Sequence, residues 1–450
     1  MWVTTGLIGV GCGLLQSVLL VEMWLLPHWV TRLSAAARLR LCIKEVAMSL
    51  AKGIPQELQD ELQAVMASHV RPDNLPGLLY AVCRDGETIL NTIGYVDKEG
   101  SAPLREDTIF RIASLTKPIV GVAAMMLVEE GVFSLDDPID AFLPELANRR
   151  VLKRLDGPIS ETEPATRSIT VDDLLTCRMG FGLLLPFDAY PINMTLAEMG
   201  FGMSILPPEA ASTDDWIAAF SELPLMRQPG TVWLYGTSIL VLGALIERAS
   251  GKSLAGFCQD RIFDPLGMVD SGFCVPAEKL DRFPPVYWRN VVTGAVEVLD
   301  PGGVESWFAR EPGFASADGG LVSTASDYLT FARAMLHCGA FDGGRLISQA
   351  SYNKMRTDHI SPEQKTRSPF FAEGFWDTVG WGYAVAINTA QTPADPQGVG
   401  WEGGYGLTCA WDHETGTIGL LMTQRMIEGW VTPHFQDFRR VVAAIRSLPQ

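Results

Sequence analysis

An α+β fold is the expectation for this chain: an antiparallel sheet flanked by terminal helices, with a large helical insertion. Three observations predict it. Strand-like runs gather at about 70–112 and 375–425, whereas about 113–300 reads as helix and loop. Amphipathic helices stand outside both groups of strands. In 450 residues, 47% hydrophobic and 19% charged side chains describe a chain with a sizeable core, not a disordered or low-complexity one.

The first 47 residues differ from residues 48–450, which form the body. No charge occurs from Met1 to Val21, and the apolar character runs on to Val30, long enough to cross a bilayer as a helix. Arg32, Arg38, Arg40 and Lys44 follow, which would leave the body on the cytoplasmic side. The segment reads either as an inner-membrane anchor or as a dispensable extension upstream of Met48. A secretory signal fits less well, because no Lys or Arg precedes the apolar run.

In the body, Leu58, Leu62, Val65 and Met66 recur at helical spacing. GLLYAVCRDGETILNTIGYVD holds two β-rich runs joined by Asp85-Gly86, a hairpin signal. A third run, Thr108 to Ile112, leads into Ser114 and the apolar helix KPIVGVAAMMLVEEGV. A helix from Ser238 to Ala249 closes at Ser250-Gly251. Strands are expected at Trp381–Asn388, Tyr405–Trp411 and Thr417–Thr423, then a last helix from about His434 to Ile445. The long apolar loop from Phe181 to Pro208 suits a pocket wall, a lid or a dimer contact.

Composition excludes several functions. A formal charge of −17 repels phosphate backbones, so nucleic acid is not an expected partner. Eight scattered cysteines without CxxC spacing read as reduced core thiols, which points to the cytoplasm. Six histidines with no HExxH leave a metal site unsupported. Gly251-Lys252-Ser253 lacks the first glycine of a phosphate loop, since residue 246 is isoleucine, and no GxSxG elbow occurs.

The remaining chemistry is Ser-x-x-Lys. On a helix this spacing puts both side chains on one face, so that the lysine can take the hydroxyl proton if burial and neighbouring positive charge keep it neutral. The pattern occurs at Ser49/Lys52, Ser114/Lys117 and Ser351/Lys354. Ser49 precedes the first helix, and Ser351 lies in the polar SYNKMRTDH, which reads as a solvated helix. Ser114 alone stands at a strand-to-helix junction, where helix N–H groups can meet a developing oxyanion. The plainer alternative is a capping serine and a surface lysine.

RIASLTKPIVG, VWLYGTS, IFDPLGM and ADGGLVSTASDY occur in this order. Together they resemble the serine β-lactamase and penicillin-binding-protein superfamily, and within it the class C β-lactamases and family VIII carboxylesterases. The resemblance runs from about Leu75 to Gln424. It implies that Ser114 is the nucleophile and Lys117 its lysine. It also implies that Tyr235, in Tyr235-Gly236-Thr237, is the tyrosine of the second motif. Tyr328 has the same local spelling but sits in an amphipathic helix and reads as core.

The third motif, Lys-Thr-Gly in the β-lactamases, matches Trp401-Glu402-Gly403, followed by Gly404-Tyr405-Gly406. The Gly404 N–H would join that of Ser114 in an oxyanion hole. Trp401, Gly403, Thr237 and Tyr405 complete the substrate-binding set, with glycines of an edge strand admitting the substrate. Trp401 replaces the lysine that holds a substrate carboxylate, and Thr237 replaces an asparagine. An anionic substrate thereby loses a charge-assisted bond of roughly 1.5–3 kcal/mol.

The resemblance implies a serine hydrolase of uncharged short-chain esters that works through an acyl-enzyme. It needs no metal or cofactor, and its only partner is a small ester. Activity is expected to plateau at roughly pH 8–9, once Lys117 and Tyr235 have been lowered from reference values near 10. Membrane contact is expected only through residues 1–30. The alternatives are a β-lactamase or D-alanyl peptidase, an acyltransferase, and an inactive tethered binding protein.

Overall fold

The computed structural model describes residues 53–199, 212–368, 374–389, 398–428 and 432–448. The N-terminal segment, the Ser49/Lys52 pair and the end of the 181–208 loop lie outside them. Helix α1 (Gln56–His69) leads into strands β1 (Gly77–Arg84) and β2 (Glu87–Gly94), turned by Asp85 and Gly86 with φ of 51° and 82°. Both residues in the left-handed region match the tight hairpin that Asp-Gly announces.

The strand expected at Thr108–Ile112 shortens to β3 (Phe110–Arg111) and leaves the main sheet. It pairs with β4 (Val322–Ser323), and its flanking N–H groups go to Arg282 and Leu321. Between them come α2 (Thr116–Glu129) and α3 (Thr237–Ser250), the latter closed by left-handed Gly251; α4 (Ala325–Leu336) follows β4. The insertion is not wholly helical, since small hairpins join Arg150–Leu152 to Thr162–Pro164 and Val286–Arg289 to Val296–Asp300.

The expected strand Trp381–Asn388 is a hairpin, β5 (Val379–Trp381) and β6 (Ala386–Asn388). A Cβ on Gly382 would run into the Met355 carbonyl, and Ala384 is left-handed at φ 58°, so the chain reverses there. Strands β7 (Val399–Gly403), β8 (Leu407–Asp412) and β9 (Thr417–Thr423) complete the sheet in the order β5-β6-β7-β8-β9-β1-β2, antiparallel throughout. Helix α5 (Pro433–Arg446) closes the described chain.

Side chains of β1 alternate between two cores, as a period of two requires. Leu78, Tyr80 and Val82 face α1 and α5, packing with Leu62, Met66, Phe438 and Val441. Leu79, Ala81 and Cys83 face the larger core shared with α2, α3 and α4. Gly419 in β9 lets α5 approach, since its Cβ would lie 3.2 Å from Val442. Buried Arg84 donates to the carbonyls of Ile445, Arg446 and Leu448, capping α5 where its last carbonyls lack partners.

Ser351 is not on a solvated helix. Ser351, Tyr352 and Met355 share a buried face of the helix Gln349–Met355, because helical spacing gathers the few apolar residues of a polar segment. In the 181–208 loop, Phe181, Leu184 and Ile192 are buried, while Leu185 and Met194 are exposed. The six described cysteines form no disulfide. Among the described residues no helix is long and apolar enough to cross a membrane, and no cluster of three or more His, Cys, Asp or Glu could hold a metal.

Candidate active site

The turn that carries Ser114 is built on β3. Ile112 N–H donates to the Leu321 carbonyl at 3.0 Å, and Ala113 turns left-handed at φ 45°. A left-handed alanine is uncommon and strained, and here it aims the next residue, half-buried Ser114, out of the strand direction. The turn is held from behind by the Tyr328 hydroxyl, which donates to the Leu115 carbonyl at 3.0 Å. Tyr328 is therefore core, as its helix suggested.

Lys117, in the first turn of α2, is 0% exposed, so it is no surface lysine. Its Nζ donates to Ser114 Oγ at 2.9 Å and to the Asp318 carbonyl at 2.5 Å, and lies 4.5 Å from the centre of the Tyr235 ring. Ser114 makes no side-chain cap with the helix. The cap-and-surface alternative fails on both residues.

Tyr235 arrives from a distant loop. Leu183 N–H donates to its carbonyl at 2.8 Å, and Leu234 N–H donates to the Cys177 carbonyl at 2.8 Å. Gly182 allows this contact, since a Cβ there would sit 2.6 Å from the Tyr235 carbonyl oxygen. Gly236, at φ 99°, then turns the chain into α3, whose first residue is half-buried Thr237.

Trp401 is placed differently from the expectation. It is 5% exposed, and its Nε1 donates to the Tyr235 hydroxyl oxygen at 2.5 Å. It packs edge-on against Trp381, with ring centres 4.8 Å apart, inside a cluster with Trp233 and Phe375. The indole is thus a hydrogen-bond donor to the site's phenol, not an open apolar wall. Strand alternation sends Glu402 to the opposite face, where it pairs with Arg439 of α5.

Gly403 meets the Ser114 turn: a Cβ there would lie 2.5 Å from the Ile112 carbonyl oxygen and 3.4 Å from Ala113 Cβ. β7 is not an edge strand, although β6 pairs only with Val399 and Gly400 and stops short of Trp401–Gly403. Gly404 follows in the turn, half-buried, its carbonyl accepting from Ile427 at 2.9 Å. Tyr405 does not join the site. It is 1% exposed, packed in the larger core beside the buried Arg111–Asp300 pair.

The electrostatics reverse one expectation. Burial pulls the Lys117 ammonium down, but the Tyr235 oxygen and Asp318 outweigh it and hold the group above the ordinary lysine value. Asp318 Oδ2 lies 3.8 Å from Nζ, so the charged neighbour is negative rather than positive. Tyr235 keeps some open surface, but burial of its hydroxyl pushes it up, against the pull of Lys117 and of its hydrogen bonds. Both directions favour ammonium and phenol as the resting pair. Cys177, a third neighbour, is pushed up to about 12 by burial and stays a thiol.

Asp318, Trp381 and Cys177 were missing from the sequence-derived site. Asp318 stood in plain view within ADGGLVSTASDY, but nothing local says that its carbonyl reaches a lysine 201 positions earlier.

The family model for Beta-lactamase matches residues 62–439. The chain belongs to the beta-lactamase family. This family member is 37% identical over 351 residues to protein Rv1367c of Mycobacterium tuberculosis, covering 74% of this chain and 82% of that one. It is 32% identical over 397 residues to esterase EstB of Burkholderia gladioli, covering 84% and 93%. EstCE1, described as a hydrolase with promiscuous acyltransferase activity, superposes with a TM-score of 0.70 at 21% identity, covering 86% of this chain and 99% of its own. Simvastatin synthase from Aspergillus terreus gives 0.69 at 20%, covering 86% and 98%. These two likenesses show the fold.

Proposed function

We propose that this beta-lactamase-family protein is a serine hydrolase that cleaves uncharged, short-chain carboxylic esters through an acyl-enzyme on Ser114. The observation that supports it most is the 2.9 Å bond from Lys117 Nζ to Ser114 Oγ, beside a phenol that Trp401 holds.

The Lys117–Tyr235 pair first loses one proton and becomes a coupled base, with no single owner of the charge. It takes the Ser114 proton as Oγ attacks the ester carbonyl, and the N–H groups of Ser114 and Gly404 stabilise the oxyanion. The tetrahedral intermediate expels the alkoxide, which takes that proton and leaves as alcohol. Water then attacks the acyl-enzyme by the reverse sequence, releasing the carboxylic acid and the free serine.

An ester fits better than a β-lactam because residue 401 is an indole already engaged with Tyr235. It offers no cation to a substrate carboxylate in a chain of charge −17. A second reading, acyl transfer to an alcohol in place of water, is favoured by a relative named acyltransferase calJ from Penicillium decumbens, 26% identical over 374 residues.

A panel of nitrophenyl esters, a chromogenic cephalosporin and added alcohols tests both readings. Esters are expected to be preferred over the lactam by at least ~100-fold in kcat/KM, about 2.7 kcal/mol. Faster lactam hydrolysis would overturn the ester reading, and ester exchange outrunning hydrolysis would replace it with the transferase.

A further inference from the structure

We infer that Asp318 is a positioning residue that keeps the Lys117–Tyr235 pair protonated in the free protein, and so sets the pH at which Ser114 becomes a nucleophile. This deepens the proposed function and rests on it. Asp318 acts twice on one ammonium. Its backbone carbonyl accepts from Nζ at 2.5 Å, and its carboxylate Oδ2 stands 3.8 Å away.

The carboxylate is oriented, since Ser316 Oγ donates to Oδ1 at 2.9 Å. The loop that carries it is seated on the nucleophile turn, where a Cβ on Gly319 would lie 3.7 Å from the Ala113 carbonyl carbon. The groups around Nζ come from four segments: Ser114 before α2, Tyr235 before α3, Cys177 after the short helix Val171–Leu175, and Asp318 before β4. Asp318 is the carboxylate among them.

The sign does not depend on which group holds the proton. Ammonium plus phenol carries one positive charge, and the pair becomes neutral when it loses a proton. A nearby carboxylate favours the charged state and so opposes that loss. The Asp318 side chain is 29% exposed, so water screens it, and the lower end of the usual range applies, about one pH unit.

The test is the pH dependence of fluorophosphonate labelling of Ser114, which needs an activated serine but no ester turnover. Asp318→Asn keeps the backbone carbonyl and removes the charge. Its ascending limb is expected about one pH unit below that of the wild type, a roughly tenfold faster labelling, relative to its own plateau, at pH values below both limbs. Asp318→Glu should hold the wild-type limb. Asp318→Ser serves as a second neutral variant should Asn disturb folding.

An unmoved limb in the neutral variants, with rates lowered equally at every pH, would reduce Asp318 to a structural contact and overturn the inference. An equal shift in Asp318→Glu would overturn it as well. Labelling of Ser114 without ester hydrolysis would overturn the proposed function and leave this readout intact.

Discussion

Arg111 and Lys117 are buried cations on either side of Ser114, one ending β3 and the other in the first turn of α2, and they are satisfied in different ways. Arg111 donates directly to fully buried Asp300 at 2.6 Å and to the Pro284 carbonyl at 2.8 Å, with its guanidinium 3.9 Å from the centre of the Phe283 ring. Lys117 touches a hydroxyl, a carbonyl and a phenol, and its carboxylate stands off at 3.8 Å. A guanidinium locked to a carboxylate has no proton to give at any working pH. An ammonium held mainly by neutral groups beside a phenol can pass one on. The same burial therefore makes a clamp on one side of Ser114 and, under the proposed function, a proton store on the other.

The sharpest way to break this contrast is to remove the proton store. Lys117→Ala or Ser114→Ala should cut ester turnover by at least ~10³-fold with far-UV spectra intact, because groups that act as a unit fail together. Ser351→Ala should leave turnover unchanged, since that serine bonds Glu129 at the end of α2 opposite Lys117; loss of activity there, with Ser114→Ala still active, would move the nucleophile.

Removing the clamp should hurt the fold more than the chemistry. Arg111→Met leaves Asp300 charged and buried, a loss of about 3–5 kcal/mol in denaturant unfolding. Adding Asp300→Asn should restore part of it. If Arg111→Met unfolds like the wild type but loses turnover, the two cations do not divide their roles in this way.

The pH profile sharpens the picture of the store. Both members of the pair lie above their ordinary values, and the reactive form is the one that has lost a proton. Activity is therefore expected to keep rising with pH through about 9, up to tenfold per unit, rather than level off at 8–9. A plateau reached by about pH 8 would show that the bound ester lowers the pair.

The smallest expected effect is at Trp401. Trp401→Phe keeps the aromatic packing and deletes the N–H donor to Tyr235, so kcat should fall about tenfold, some 1.5 kcal/mol, with KM little changed. Trp401→Lys would instead bury an ammonium inside the Trp381 cluster, and lower stability is its expected signature. Improved lactam turnover in that variant would show that the side chain can swing out to substrate.

Much of this was legible in local sequence. The Asp85-Gly86 hairpin, the apolar α2, the Gly251 stop and both terminal helices depend on turn chemistry and periodicity, which a short window contains. The Ser114/Lys117 pair was legible for the same reason, because one helical turn fixes its geometry. The misplacements share a cause of the opposite kind. Trp381–Asn388 looked like one strand because the bend at Gly382 is imposed by the Met355 backbone. Tyr405 was grouped with the substrate set through its neighbours in sequence, while its side chain sits with the Arg111–Asp300 pair.

By itself, then, the sequence determined the α+β layout and singled out Ser114, Lys117 and Tyr235 as a candidate set, which the structure brings together. Only the tertiary structure decided the partners of that set. Trp401 becomes a donor to Tyr235 because β7 and the loop before α3 meet there. Lys117 meets Asp318 because a loop two hundred residues later delivers that residue's carbonyl and carboxylate. A proton's affinity depends on distances between side chains in space, and those distances exist only once remote segments have packed.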